Sequence, residues 1–156
     1  MRAIVALILG LLLVVPNIAR AQPAFDDPVA LIEHVYAPYL GNEYADYPVA
    51  LYSPALRQLW DDAMARSEEV GMPILDFDPF VNAQDFEITE LVVADPVIEG
   101  DTAAVAVGFL NFGAPTELRF HLLRGAEGWL IDDIESFDEG YRWHLSEILA
   151  ADPLLN

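Results

Sequence analysis

The chain has 156 residues and a formal net charge of −19, with 26 Asp and Glu against 7 Arg and no Lys or Cys. The absence of Cys excludes disulfides and Cys-ligated metals. Such an acidic surface repels phosphate backbones and anionic lipid headgroups, so we expect neither nucleic-acid nor membrane-surface partners. The acids favour a cationic partner or divalent counterions, or they simply keep the protein soluble.

The N-terminal segment has the layout of an export signal. After a basic second residue, an apolar run over 3–15 ends at Pro16, and residues 19–21 (Ala-Arg-Ala) fit a small-x-small cleavage pattern. The run is short for a bilayer span, and no basic cluster follows it. We therefore predict that residues 1–21 are cleaved, that the protein is periplasmic or secreted, and that residues 22–156 form a single α+β domain.

Two helices are predicted in the first half of the chain. Asp27 and Pro28 combine an N-cap acid with Pro at the first helical position, and apolar residues then recur at helical spacing. Ser53 and Pro54 repeat this start, and Gly71 occupies the C-terminal glycine position of the second helix.

From Phe86 onward the hydrophobic period becomes two, which predicts β-strands. The four predicted strands are residues 86–94, 102–110, 117–124 and 129–134, and a last helix begins near Tyr141. Because short turns join the strands, they form an antiparallel meander. The sequence therefore predicts an α+β fold in which helices pack on one face of a curved four-stranded antiparallel sheet.

The alternation of side chains also predicts which face of the sheet is buried. The residues expected inside are Val105, Val107, Phe109, Leu118, Phe120 and Leu122. Arg119 and Arg124 are expected to be exposed. A slip of one residue in the pairing would invert the whole set, so a buried Arg119 would show that the predicted register is wrong. Ala104, Ala106 and Gly108 lie on the opposite face of their strand, where their small size would allow another surface to pack closely.

The ten residues 76–85, DFDPFVNAQD, join the helical half to the strand half, and we call them the joint. The polar and aromatic residues that define this structural motif are Asp76, Asp78, Phe80, Asn82, Gln84 and Asp85. Asp and Asn side chains commonly cap backbone groups in turns. We interpret the joint as structural, with Phe77 and Phe80 turned into the core and the polar side chains satisfying nearby backbone groups.

A metal-binding role for the joint is the alternative. Asp76, Asp78 and Asp85 are candidate Ca²⁺ ligands, since hard cations take carboxylate oxygens. The EF-hand pattern fails, however, because Phe80 occupies its third ligand position and no Glu closes the loop. We expect no bound metal and no cofactor.

Several segments resemble a known family. They are the Tyr-x-x-Tyr of the first helix (Tyr36 and Tyr39), SPALRQL (53–59), the joint, and GWLIDDI (128–134). Together these segments resemble the exported bacterial proteins grouped as domain of unknown function 3828, within the nuclear transport factor 2-like (cystatin-like) superfamily. The resemblance implies a half-cone fold and export, and it supplies no catalytic residues.

Some half-cone enzymes of that superfamily use a pocket acid with Tyr or His partners. The resemblance thus implies a candidate catalytic set of Asp133, Tyr36, Tyr39 and His121. Adjacent strand residues point to opposite faces, and we expect Asp133 on the inner side with Trp129. His121, in contrast, alternates in phase with Arg119, which indicates the solvent face.

A zinc site is not predicted from the spacing of the histidines. The chain has His34, His121 and His144, and no two of them are spaced as closely as in H-x-x-x-H or H-x-H.

We expect a non-catalytic module that binds a small ligand or a protein, neither of which the sequence names. One alternative is a small half-cone enzyme that uses Asp133 and a tyrosine. The other is an acidic interaction domain that docks a basic partner, such as a toxin or an envelope protein. A deep, tyrosine-lined cavity would favour a small ligand, whereas a filled cone would leave surface interaction.

Overall fold

The computed structural model describes residues 24–43, 46–138 and 140–151, so the predicted leader, residues 1–21, lies outside the described residues. The helices in these ranges are α1 (Pro28–Leu40), α2 (Pro54–Val70) and α3 (Leu145–Ala150), with a 3₁₀ turn at Val49–Leu51. The strands are β1 (Ile88–Val93), β2 (Val97–Glu99), β3 (Thr102–Asn111), β4 (Ala114–Gly125), β5 (Gly128–Ser136) and β6 (Trp143–His144). Among these described helices, none has the length and apolar character that a membrane span requires.

Local capping signals set the helix boundaries. The Asp27 carboxylate accepts a hydrogen bond from the Val29 N–H, and the Ser53 hydroxyl accepts one from the Leu56 N–H at 3.1 Å. Gly71 closes α2 with φ 69°, a left-handed conformation that costs glycine little. The predicted starts of α1 and α2 and the predicted end of α2 are confirmed.

The sheet is antiparallel, with the strand order β1-β3-β4-β5-β6 and with β2 also paired to β3. The predicted α+β class and curved antiparallel sheet are confirmed, but the predicted number of four strands is wrong, since the described part of the chain forms six. Strands β2 and β6 were not predicted from the sequence. They are three and two residues long, too short for a period of two to be recognised.

The predicted orientation of β3 and β4 is confirmed. Val105, Val107, Phe109, Leu118, Phe120 and Leu122 are each at most 4% exposed. The side chains of Arg119 and Arg124 are 41% and 47% exposed. We call the face that carries the buried set the inner face and the opposite face of the sheet the outer face.

A β-bulge in β5 overturns one expectation about this strand. Leu122 pairs with Ile131 and His121 pairs with Asp133, so Asp132 is an extra residue in the ladder. Ile131 and Ile134 are therefore both buried, and Asp133 turns to the outer face with His121. The prediction that Asp133 lies on the inner side with Trp129 is wrong, because strict alternation fails at a bulge.

Aromatic side chains fill the space between the helices and the inner face. The ring of Tyr36 lies 5.8 Å from that of Phe109 and 6.0 Å from that of Phe120. Phe80 stacks on Phe120 with 6.1 Å between ring centroids. Tyr36, Phe80 and Phe120 are fully buried. The interior of the fold is thus a packed core at the level of these rings.

Candidate functional site

The joint is held against α1 by two tyrosine hydroxyls. Tyr39 donates to Asp78 Oδ2 at 2.7 Å, and Tyr36 donates to the Phe80 carbonyl at 2.8 Å. Asp78 Oδ1 accepts from the Phe80 N–H at 2.8 Å, and the Asp78 N–H donates to the Ala83 carbonyl at 2.9 Å. The Tyr-x-x-Tyr pair of α1 therefore anchors the joint, and both hydroxyls are occupied in doing so.

The electrostatics of this cluster keep its tyrosines protonated. Burial, with the charge of Asp78 as a smaller cause, raises the pKa of Tyr36, Tyr39 and Tyr47. A phenol with a raised pKa donates a proton to a hydrogen bond but does not act as a base near neutral pH. Burial also raises the pKa of Asp78, while the hydrogen bonds from Phe80 and Tyr39 act in the opposite direction.

This raised pKa gives a prediction for Asp78→Asn. The raised pKa means that the folded state holds the Asp78 proton more tightly than the unfolded state does. Ionisation of Asp78 therefore lowers the free energy of unfolding of the wild type. This loss disappears as the pH falls through the folded pKa toward 3.8. The Asn side chain imitates the protonated acid, because it can accept from the Phe80 N–H and donate to the Tyr39 oxygen. As the pH falls, the wild type should therefore gain stability relative to Asp78→Asn. Urea unfolding from pH 7 to pH 4 measures it, and a difference that stays constant would contradict the role of the buried charge.

The rest of the joint also bonds within the fold. Asn82 Nδ2 donates to Asp138 Oδ2 at 2.5 Å, and Asn82 Oδ1 accepts from the Trp143 indole N–H at 2.9 Å. Gln84 donates to the Asp76 carbonyl at 3.1 Å, so here the backbone of Asp76 is the acceptor.

The candidate Ca²⁺ ligands are not brought together as a trio of carboxylates. Both oxygens of Asp78 accept hydrogen bonds, while the backbone carbonyl of Asp85 accepts from Asn111 Nδ2 at 3.2 Å. Within the described ranges, the group of three ligand-bearing side chains close enough for one metal ion lies elsewhere, at His121, Glu135 and His144.

That second cluster lies on the outer face, where neighbouring strands place polar residues side by side. Glu135 of β5 pairs with Arg119 of β4 on one side and with His144 of β6 on the other. His121 Nε2 lies 3.1 Å from Glu135 Oε2, and His144 Nε2 lies 3.8 Å from Glu135 Oε1. Arg119 Nη1 lies 3.7 Å from Glu135 Oε2. One carboxylate thus faces two imidazoles and a guanidinium.

Asp133 lies next to this cluster, but its carboxylate accepts hydrogen bonds from the first turn of α3. Its Oδ1 accepts from the backbone N–H groups of Ser146 and Ile134 at 2.9 and 2.8 Å, and its Oδ2 accepts from the Ser146 hydroxyl at 2.7 Å. Asp133 Oδ2 also lies 3.3 Å from His144 Nδ1. A carboxylate from β5 therefore caps the first turn of a helix that has no side-chain cap at its own N-cap residue.

The four residues of the candidate catalytic set do not share one site. Tyr36 and Tyr39 bond to Phe80 and Asp78 of the joint on the inner side, whereas Asp133 and His121 lie on the outer face. Sequence reasoning missed the cluster around Glu135. The placement of His121 in phase with Arg119 was a usable signal, but Glu135 and His144 required the bulge and β6.

Two hollows flank these outer-face residues. One, of about 560 Å³, is lined by residues that include Val97, Ala104, His121, Asp133 and His144. The other, of about 480 Å³, is lined by residues that include Val92, Gly108, Glu90, Glu117 and Asp138.

A third hollow, of about 410 Å³, opens beside the joint, where its lining includes Tyr47, Phe77 and Asp78.

The fold and these sites define an α+β protein with helices on one face of an antiparallel sheet and a polar, partly exposed opposite face. Neither a protein-family model nor a curated protein matches the chain. The fold is similar to one chain of the type VI native effector–immunity complex Tae3–Tai3 from Ralstonia pickettii. The identity is 22%, the TM-score is 0.53, and the match covers 75% of this chain and 99% of that one.

A second similar structure is the phospholipid-binding protein from Ralstonia solanacearum in complex with a phospholipid. The identity is 14%, the TM-score is 0.37, and the match covers 80% of this chain and 59% of that one.

Proposed function

We propose that the chain is an exported, non-catalytic module that binds a basic protein partner through the outer face of its sheet. The observation that carries this proposal is the filled interior. Tyr36, Phe80 and Phe120 occupy the space between the helices and the inner face, where a half-cone protein would hold a ligand. Recognition then takes place at the surface. Export is inferred from the signal pattern of residues 1–21, and the half-cone kinship from the order of helices, joint and strands.

The outer face has the composition of a docking surface. Val92 and Val97 are 63% and 64% exposed, and they pair across the sheet with the small residues Gly108 and Ala104. Exposed apolar groups beside small residues allow close packing by another protein. The acids that line the two outer hollows are Glu90, Glu117, Asp138, Glu99, Asp132 and Asp133. Exposed apolar side chains with acids beside them fit a partner that presents Lys or Arg next to its own apolar contacts.

The chemistry of the partner follows from the charge of the whole chain. A formal net charge of −19 steers a basic protein toward this surface and repels an acidic one. The fold neighbour from Ralstonia pickettii belongs to an effector–immunity complex, which supports a protein partner of the effector or toxin kind for this chain as well.

A small ligand at the joint is the second candidate. The hollow beside the joint combines the aromatic rings of Tyr47 and Phe77 with the partly buried carboxyl of Asp78, a lining suited to a small molecule. The alternative of an enzyme that pairs Asp133 with a tyrosine of α1 lacks such support, because these side chains lie on opposite sides of the sheet.

The docking proposal predicts that Gly108→Arg weakens the binding of the protein partner to the outer face. Nothing lies within 4 Å of the position that a Cβ of residue 108 would take, so the new side chain is tolerated by the fold while it blocks the outer face and adds the wrong charge. Partners are captured from native envelope extracts by cross-linking, identified by mass spectrometry and then purified. Affinity for the partner should fall at least about 10-fold, which corresponds to about 1.4 kcal/mol.

The matched control for this experiment is Glu33→Arg, which changes an exposed position on α1, away from the outer face. The control should keep most of the affinity. The proposal is contradicted if both variants bind equally well, or if a small molecule co-purifies with wild type and is lost in Asp78→Asn.

A further inference from the structure

We infer that His121, Glu135 and His144 form a binding site for one divalent transition-metal ion, with Zn²⁺ as the best fit. The inference is independent of the proposed function, because it depends on side-chain geometry at three strands and not on a partner. Two imidazoles and one carboxylate are a ligand set that zinc takes in proteins. Ca²⁺ and Mg²⁺, which prefer oxygen ligands only, fit this set poorly.

The distances suit one ion. The ligand atoms of the three side chains all lie within 4.8 Å of one another. With metal–ligand bonds of about 2.0–2.2 Å, the corners of a tetrahedral site lie about 3.3–3.6 Å apart. His121 Nε2 lies 3.1 Å from Glu135 Oε2, and His144 Nε2 lies 3.8 Å from Glu135 Oε1. These two distances lie on either side of that spacing. Small rotations of the three side chains would bring the donors to the ideal spacing.

The backbone that carries the three ligands is held by the sheet ladder. His121 lies on β4, Glu135 on β5 and His144 on β6, and Glu135 pairs directly with His144. Ligands on adjacent hydrogen-bonded strands are positioned more accurately than ligands on loops. The ligand side chains are between 20% and 39% exposed, so an ion can reach them from solvent.

A histidine that binds a metal through one ring nitrogen commonly donates a hydrogen bond from the other to a carboxylate, and Asp133 is placed to accept it from His144. Its Oδ2 lies 3.3 Å from His144 Nδ1, and bonds from Ser146 and Ile134 hold the carboxylate in place. A proton on Nδ1 that is shared with Asp133 leaves the lone pair of His144 on Nε2, the atom that faces Glu135. Asp133 thus orients the His144 ring so that Nε2 faces Glu135.

Arg119 is a cation beside Glu135 and would oppose an ion at this position. Its guanidinium lies over the Phe137 ring at 4.2 Å from the ring centroid, and its Nη1 is 3.7 Å from Glu135. This stacking holds the guanidinium beside the carboxylate, and its exposed side chain can move toward solvent when an ion binds. His121 and His144 both line the hollow of about 560 Å³, which leaves room for a water molecule as a fourth ligand.

The test uses the protein purified without a histidine tag, stripped with chelator and titrated with ZnCl₂ by calorimetry. One Zn²⁺ per chain is expected, and it should resist competition by millimolar Ca²⁺. His121→Gln and His144→Gln should each weaken the affinity at least about 10-fold, and Asp133→Asn about 10- to 100-fold. The matched control is His34→Gln, which removes an exposed histidine of α1 outside the cluster and should leave the affinity unchanged.

A second measurement does not depend on how the variants fold. CoCl₂ added to the stripped wild-type protein should produce the visible absorption of tetrahedral Co²⁺, and ZnCl₂ should remove it. The inference is overturned if the cobalt spectrum is that of the hydrated ion, if His34→Gln weakens zinc as much as His121→Gln does, or if Ca²⁺ displaces the zinc as it would from an acidic surface.

Discussion

Phe80→Ala should lower the free energy of unfolding by about 3–5 kcal/mol, the range for truncation of a fully buried Phe. Phe80 is 0% exposed, and its ring lies 6.1 Å from Phe120, 6.3 Å from Tyr47 and 6.4 Å from Tyr39. The change therefore leaves a cavity where α1, the joint and β4 meet. Because the carbonyl of residue 80 accepts the hydrogen bond from Tyr36, backbone movement into the cavity would also disturb a buried hydroxyl.

Chemical denaturation of the variant and wild type measures this loss. The matched control is Phe112→Ala, since the Phe112 side chain is 61% exposed and its removal should change the stability by less than about 0.5 kcal/mol. If Phe80→Ala costs no more than Phe112→Ala, the joint does not contribute its ring to the core.

Asn82→Ala should cost roughly 2–4 kcal/mol, from an unpaired buried donor and from backbone strain together. Asn82 has φ 54°, a left-handed conformation that Asn tolerates better than Ala. Its side chain joins Trp143 of β6 to Asp138 in the segment after β5, at 2.9 and 2.5 Å. Without it, the indole N–H of Trp143, a residue that is 6% exposed, loses its acceptor.

Two further variants separate the two causes. Asn42→Ala places Ala at another left-handed position, φ 57°, on an exposed turn, so it reports the backbone cost of roughly 1–2 kcal/mol alone. Asn82→Gly removes the hydrogen bonds of the side chain, and Gly adopts the left-handed conformation at little cost. We expect Asn82→Ala to be the least stable of the three in urea unfolding, and equal losses for Asn82→Ala and Asn42→Ala would exclude a stabilising link to Trp143.

The joint shows how far composition predicted this region and where prediction stopped. The sequence DFDPFVNAQD indicated polar side chains that satisfy local groups, and Asp78 does accept the N–H of Phe80. The contacts of Tyr39 with Asp78 and of Asn82 with Trp143 span 39 and 61 residues. No spacing rule specifies contacts at such a separation, because they depend on how α1 and β6 lie against the sheet.

The sequence by itself determined the starts of α1 and α2, the end of α2, and the buried face of β3 and β4. Asp27, Ser53 and Gly71 act on backbone groups a few residues away, so their effect is local. A period of two likewise depends on neighbouring residues alone, and it placed Phe120 inside and Arg119 outside as the structure has them.

Only the tertiary structure decided the cluster on the outer face. A bulge at Asp132 exists relative to a partner strand, and it turned Asp133 to the outer face, contrary to strict alternation. The pairing of β6 with β5 then brought His144 beside Glu135 and within reach of His121. Each step depends on hydrogen bonds between strands, whose partners are chosen by the packing of the whole sheet and not by the residues next to them in the chain.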